Sequence, residues 1–148
     1  MKRLLTLAVC MIGVSIVTSA QLKFGAGVQV YDRFGVQGKV NNVFTEEISG
    51  QASFAYYFAS GITFWGIDTD VHYFGLDLGN IESFAIAPLA GLNFARFSVI
   101  GGGFSVGLNL GIVGTLPLDN GLEVYVEPKI VIGGARSTEF AIGGGVYF

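Results

Sequence analysis

Strict alternation of side-chain character is the feature that most limits how this sequence can fold. It is clearest in residues 104–116, where every even position except Gly114 is large and apolar, and every odd position except Val113 is small or polar. The side chains of a strand point alternately to its two faces, so such a segment has one apolar face and one polar face. We therefore predict strands with short connections and no helix.

The alternation and the turn residues between segments predict eight strands. The predicted segments are residues 22–31, 34–45, 48–58, 62–73, 83–95, 104–116, 122–132 and 139–148. Residues 96–103 are ambiguous between a strand end and a loop. In residues 62–73 the apolar positions change parity, so we expect a β-bulge near Phe64 and Trp65. The bulge would leave the polar residues that follow it, Gly66, Asp68, Asp70 and His72, facing inward.

The composition is apolar without offering a membrane-spanning helix. Hydrophobic residues make up 51% of the 148 residues and charged residues 13%, but no apolar run reaches the roughly 18 residues that a spanning helix needs. A closed barrel in lipid accommodates such a chain, because half of each strand's side chains face hydrocarbon. The net charge of −3 gives no reason to expect nucleic acid as a partner.

Residues 1–20 have the layout of a secretory signal peptide. A basic start, Met1 to Arg3, precedes the apolar residues 4–17 and the small residues 18–20. We expect the mature chain to begin near Gln21. Because the one cysteine, Cys10, lies in this segment, the mature chain would contain no disulfide, thiol nucleophile or thiolate metal ligand.

The last ten residues, E-F-A-I-G-G-G-V-Y-F, alternate in the same way and end on Phe148. They resemble the closing strand of a bacterial outer-membrane barrel, which ends in Phe and serves as the insertion signal. With the signal peptide and the repeated alternation, the mature chain resembles the small OmpA/OmpX-type barrels of the porin-like superfamily. The resemblance implies an all-β fold: an eight-stranded antiparallel up-and-down transmembrane β-barrel over residues 21–148, after a cleaved signal peptide.

The resemblance also implies a location and partners. We expect a monomer in the outer membrane of a Gram-negative bacterium, in contact with outer-membrane lipid. Tyr147 and Phe148 would present the insertion signal to the barrel-assembly machinery through the C-terminal strand.

The interior of an eight-stranded barrel is just wide enough for side chains to fill. The alternation in residues 122–132 turns Glu123, Tyr125, Glu127 and Lys129 inward, and that of earlier strands adds Lys23 and Lys39. In a narrow lumen such charges form a buried ion-pair network. We therefore predict that these six side chains form a polar network that fills the lumen.

The spacing of Asp68, Asp70 and His72 admits a metal site or a hydrolytic dyad. No serine lies two or four residues from His72, as the lipid-modifying barrel enzymes would require. We interpret the three as polar residues near a strand end or loop, and predict no catalytic residue, metal or cofactor. The predicted role is structural or surface-interacting. The alternatives are a narrow channel for ions or small solutes, and a soluble secreted barrel that binds an apolar ligand.

Deletion of Phe148 tests the insertion signal. We expect the amount of protein in the membrane fraction of cells to fall several-fold, while barrel that does assemble keeps nearly its full stability. Immunoblots of fractionated membranes measure the first quantity, and urea unfolding measures the second. Undiminished membrane levels would contradict the assigned role of Phe148.

Overall fold

The computed structural model describes residues 21–58, 63–76, 83–98, 102–133 and 138–148. The predicted signal peptide, residues 1–20, lies outside the described residues. Eight strands are present: β1 (Gln21–Val30), β2 (Phe34–Val43), β3 (Ile48–Tyr57), β4 (Thr63–Tyr73), β5 (Ala85–Ser98), β6 (Phe104–Pro117), β7 (Glu123–Ile132) and β8 (Thr138–Tyr147). Within these ranges, no helix is long and apolar enough to cross a membrane.

The eight strands form a closed barrel in which each strand pairs antiparallel with its neighbours in sequence. Closure is made by β1 and β8, from Gly25 opposite Tyr147 to Val30 opposite Ile142. The predicted all-β, eight-stranded, antiparallel up-and-down architecture is confirmed. We call the end where β1 begins and β8 ends the proximal end, and the opposite end the distal end.

The two faces of the barrel wall have opposite character. The outer face carries large apolar side chains such as Phe104 and Phe140, which are 64% and 63% exposed. The inner face buries polar and charged side chains, among them Asn109 and Lys129. The terminal Phe148 and the many glycine and polar residues on the second face favour apolar residues outside and polar residues inside, and the wall of this barrel agrees with that assignment.

The expected β-bulge in β4 is wrong. Residues pair one to one from Ile48 opposite Tyr73 to Tyr57 opposite Phe64, with no extra residue on either strand. Phe64 is a buried inward-facing residue that stacks on Tyr57, with ring centroids 4.5 Å apart. The apolar positions change parity in the sequence because Phe64, although large and aromatic, faces the lumen.

The boundaries of β5 also differ from the prediction. The strand runs from Ala85 to Ser98, so it begins two residues later and ends three residues further on than residues 83–95. It pairs with β6 from Ala85 opposite Thr115 to Arg96 opposite Phe104. The first residues of the ambiguous segment 96–103 therefore belong to a strand.

The seam between β1 and β8 requires glycine because the backbones approach closely under the Tyr125 side chain. A Cβ atom on Gly27 would overlap the carbonyl oxygen of Gly144 and the hydroxyl oxygen of Tyr125. A Cβ atom on Gly145 would overlap the carbonyl oxygen of Ala26. The small residues of the seam thus allow Tyr125 to lie inside the closed barrel.

Substitution of Gly27 by alanine tests this seam. We expect Gly27→Ala to lower the free energy of unfolding by about 1–3 kcal/mol, because backbone atoms must shift to admit the methyl group. Gly38→Ala is the matched control, since an added Cβ there has no atom within 4 Å and should change stability by less than about 0.5 kcal/mol. Urea unfolding in detergent compares the two, and equal losses would contradict the close approach at Gly27.

Candidate functional site

A cluster of charged and amide side chains bridges the middle of the lumen. Lys129 on β7 donates hydrogen bonds to Asp68 Oδ2 at 2.8 Å and Asp70 Oδ2 at 3.2 Å, both on β4. Asn109 Nδ2 donates to the Oδ1 atoms of the two carboxylates, at 3.0 and 2.7 Å, and Asn93 Nδ2 donates to Asp68 Oδ1 at 2.7 Å. We call these five residues the central network.

The central network depends on strands that are not neighbours. β4 and β7 are separated by β5 and β6 in the barrel order, so Lys129 reaches Asp68 and Asp70 across the lumen. All five side chains are buried, and a buried charge is tolerated only when it is paired and hydrogen-bonded. The network therefore holds opposite walls of the barrel together.

A second ion pair crosses the lumen between β2 and β7. Lys39 Nζ pairs with Glu127 Oε2, and both side chains are almost completely buried. The ammonium group also lies 4.2 Å from the centroid of the Tyr125 ring, a distance suited to a cation–π interaction. Gln37 Nε2 donates to Tyr125 Oη at 3.1 Å and to the carbonyl oxygen of Val28 at 3.0 Å.

Aromatic side chains occupy the lumen at the distal end. Tyr57 stacks on Phe64, and Tyr31 meets the Tyr57 ring edge to face at 5.3 Å. Tyr57 and Phe64 pack with Ala55 and Ala95 in one buried cluster, against which Tyr31 packs. A buried aromatic cluster therefore lies in the distal part of the lumen, whereas charged side chains lie in its middle.

The proximal end contains a recess of about 180 Å³, which we call the proximal recess. Its lining includes Asn41, Ser49 and His72, which are buried, and the ion pair between Lys23 and Glu123 at 2.6 Å, which is partly exposed. Ser49 Oγ lies 3.2 Å from His72 Nδ1, and Asn41 Nδ2 lies 3.5 Å from Ser49 Oγ. The lumen thus has an opening at its proximal end.

The residues predicted to fill the lumen all lie on its inner wall, but in three groups. Lys129 belongs to the central network, while Lys39, Tyr125 and Glu127 form the second group. Lys23 and Glu123 pair beside the proximal recess. The pairing of Lys39 with Glu127 and of Lys23 with Glu123 joins residues about a hundred positions apart, which the alternation alone did not specify.

Tyr147 and Phe148, the predicted insertion signal, lie on opposite faces of the wall. Tyr147 points inward, and its hydroxyl donates to Gln51 Oε1. Phe148 is 65% exposed, and its backbone N–H donates to the carbonyl oxygen of Phe24 at 2.8 Å. The role of the two residues in membrane insertion stays a prediction.

The interpretation of Asp68 and Asp70 as residues near a strand end or loop is wrong. Both lie in the interior of β4 and are 2% exposed, because the inner face of that strand is continuous from Phe64 to His72. Sequence analysis also missed their partners Asn93 and Asn109. Each occupies an inward position of a strand with alternating side chains. That position could have identified both as residues of the lumen from the sequence.

Ser49 is a further residue that sequence analysis missed. It was not considered with His72 because the two are 23 positions apart. Antiparallel pairing of β3 and β4 places Ser49 directly opposite His72. Within the described ranges, no three His, Cys, Asp or Glu side chains converge as metal ligands would.

No protein-family model matches the chain. No curated protein matches it either. Solved structures do match over most of the chain. The N-terminal β-barrel domain of OprF from Pseudomonas aeruginosa matches with a TM-score of 0.68 and 16% identity, over 88% of this chain and 98% of that one.

Two further structures agree with this match. A major outer membrane protein from Thermus thermophilus has a TM-score of 0.62 and 14% identity, over 86% of this chain and 99% of that one. Neisserial surface protein A has a TM-score of 0.55 and 13% identity, over 86% of this chain and 94% of that one. The chain has the eight-stranded barrel fold of small outer-membrane proteins. At these identities the likeness concerns the fold alone.

Replacement of Lys129 tests the central network. Lys129→Met leaves two buried carboxylates without their cation, so we expect the free energy of unfolding to fall by about 3–5 kcal/mol. Lys23→Met is the matched control, because it breaks a partly exposed pair and should cost no more than about 1 kcal/mol. Urea unfolding followed by Trp65 fluorescence measures both, and similar losses would contradict the importance of the buried network.

Proposed function

We propose that this chain is a bacterial outer-membrane barrel protein with a structural or surface-interaction role and a filled, poorly conducting lumen. The observation that carries the proposal is the distribution of side chains across the wall. Large apolar residues are exposed on the outer face, and charged residues such as Lys39, Asp68 and Glu127 are buried within. A lipid environment favours this arrangement because hydrocarbon surrounds the outer face.

The exposed apolar residues recur around the barrel. On β1, β2, β6 and β8 they include Phe24, Val36, Leu108 and Ile142. A soluble protein rarely exposes contiguous apolar surface of this extent. The alternative of a soluble secreted barrel that binds an apolar ligand would require the reverse arrangement, with an apolar lumen and a polar outer face.

The filled lumen is supported by the ion pairs and aromatic rings that cross it. The central network joins β4 to β7, Lys39 joins β2 to Glu127 on β7, and Tyr57 stacks on Phe64 at the distal end. A narrow channel would require these groups to separate, which leaves buried charges unpaired. We therefore favour a structural or interaction role over conduction.

The proposal includes no catalytic role and no cofactor. Ser49 and His72 are within hydrogen-bonding distance, but Ser49 is 3% exposed and its other neighbour is the Asn41 amide.

The proposed partners are outer-membrane lipid and the barrel-assembly machinery, which would bind the strand that ends in Tyr147 and Phe148. The barrel is proposed to act as a monomer.

The single tryptophan, Trp65, provides a test of membrane insertion. Its half-buried side chain packs near Phe54 on the outer face of the wall. In phospholipid vesicles with brominated acyl chains, we expect its fluorescence to be strongly quenched relative to unbrominated vesicles. The matched control is the double variant Trp65→Phe with Tyr57→Trp, which moves the tryptophan into the lumen and should be quenched less. A protein that needs no detergent and shows no quenching would contradict the proposal.

Recordings in planar lipid bilayers test the filled lumen. We expect purified, folded protein to give no large and stable conductance steps, because side chains obstruct the lumen at the central network and at the distal aromatic cluster. Protein unfolded by boiling serves as the control for leakage caused by the preparation. Large steps that persist and depend on folded protein would favour the channel alternative.

A further inference from the structure

Arg96 is the one charged side chain on the outer face of the strands that the structure describes. It lies on β5 directly opposite Trp65 on β4 and Phe104 on β6, which also face outward. The other charged residues of the described strands face the lumen, as Lys39 and Glu127 do. An arginine on a lipid-facing wall is costly near the bilayer midplane and tolerated near the headgroups, so its depth decides what it can bind.

The place of Arg96 along β5 is close to the distal end of the barrel. It comes two residues before the strand ends at Ser98, and Trp65 comes two residues after β4 begins at Thr63. Tyr56, which pairs with Trp65 from the other side, is next to the last residue of β3. Tryptophan and tyrosine side chains collect at the headgroup level of membrane proteins. With the barrel in a membrane, Arg96 therefore lies at the distal interface.

The guanidinium group of Arg96 has no carboxylate partner within the described ranges. The ion pairs found there have Lys23, Arg33, Lys39 and Lys129 as their cations. The Arg96 side chain is exposed, so its N–H groups can donate to an anionic group outside the barrel.

Aromatic rings border Arg96 on both sides. Trp65 packs near Phe54 with ring centroids 6.0 Å apart, and Phe94 stacks on Phe104 at 6.2 Å. Phe104 is 64% exposed on the outer face. A small soluble anion would gain only the charge interaction here, whereas an amphiphile could place its anionic group on the arginine and its apolar part against the rings.

We propose that Arg96 binds the phosphate group of one anionic membrane lipid, whose acyl chains lie along the apolar wall toward the middle of the bilayer. The planar guanidinium group can donate two parallel N–H···O bonds to a phosphate, and Trp65 and Phe104 contact the part of the lipid next to it. The inference rests on the proposed membrane location, and it adds the class of lipid and the residue that selects it.

A second copy of the barrel matches Arg96 less well than a lipid does. It would have to bring a carboxylate to the outer face, and the described strands carry none there. Anionic lipids present phosphate groups at the headgroup level on every side of the barrel.

Trp65 can report on this site, because it pairs directly with Arg96 and is the only tryptophan of the sequence. Folded protein is reconstituted into phosphatidylcholine vesicles that contain a small fraction of one brominated lipid. That lipid is either anionic phosphatidylglycerol or phosphatidylcholine, whose ammonium group offsets its phosphate. We expect Trp65 quenching to show a relative binding constant that favours phosphatidylglycerol roughly five-fold. Soluble glycerol 3-phosphate, which has no acyl chains, should not relieve the quenching.

Two charge-neutralising variants locate the preference. Arg96→Gln removes the guanidinium group, so the two brominated lipids should quench Trp65 equally. Arg33→Gln makes the same charge change in the turn after β1, where Arg33 lies 3.7 Å from Asp32, and should keep the preference. Each variant is compared between two lipids, so a change in the fluorescence of Trp65 itself cancels. If Arg96→Gln does not fold, the comparison of the two lipids and of glycerol 3-phosphate on the wild type decides the matter.

Three results would overturn the inference. Equal quenching of the wild type by both lipids would mean that no anionic lipid is selected. An unchanged preference in folded Arg96→Gln protein would mean that other positive charges attract the lipid. Relief of quenching by glycerol 3-phosphate would indicate a site for free phosphate esters. Absence of quenching by either lipid would contradict the membrane location and the inference together, whereas equal quenching would contradict the inference alone.

Discussion

Closure of β1 on β8 is the constraint on which the rest of this structure depends. The hydrogen-bonded seam removes the two free edges that an open sheet would have. It also fixes the barrel at eight strands, whose interior is just wide enough for side chains to fill. At this seam Gly27 and Gly145 lie against the backbone of the opposite strand and against the hydroxyl group of Tyr125. A larger residue at either position would overlap both.

A narrow interior that contains charge has to pair it across the lumen. Lys129 connects β7 to β4, and Lys39 on β2 connects to Glu127 on β7. Because the partners of each pair lie on non-neighbouring strands, neither pair can form until the wall has curved and closed. The ion pairs therefore reinforce closure and do not direct it, while strand pairing and the two-faced alternation specify the barrel.

The sequence predicted the parts of this fold that depend on local pattern. Strand number and the shared face of Lys39, Glu127 and the other polar residues follow from a period of two residues. The terminal Phe148 and the many glycine and polar residues of that face favoured placing it inside. Which lysine pairs with which carboxylate depends on the tilt of strands that are far apart in sequence. The residues around Lys129 therefore gave no indication of its contact with Asp68 and Asp70. The orientation of Phe64 was predicted wrongly, because size alone does not tell whether an aromatic residue faces the lumen or the outside.

The two ends of the lumen differ in a way that bears on what the barrel can do. At the distal end, the rings of Tyr31, Tyr57 and Phe64 pack together. At the proximal end, the recess reaches Ser49 and His72. A solute that enters from the proximal side meets polar groups first, then the charged middle, and then an apolar obstruction. This order of groups favours binding of a polar solute in the proximal half over its passage through the barrel. A polar solute that moved on to the aromatic rings would lose its hydration without gaining hydrogen bonds from the protein.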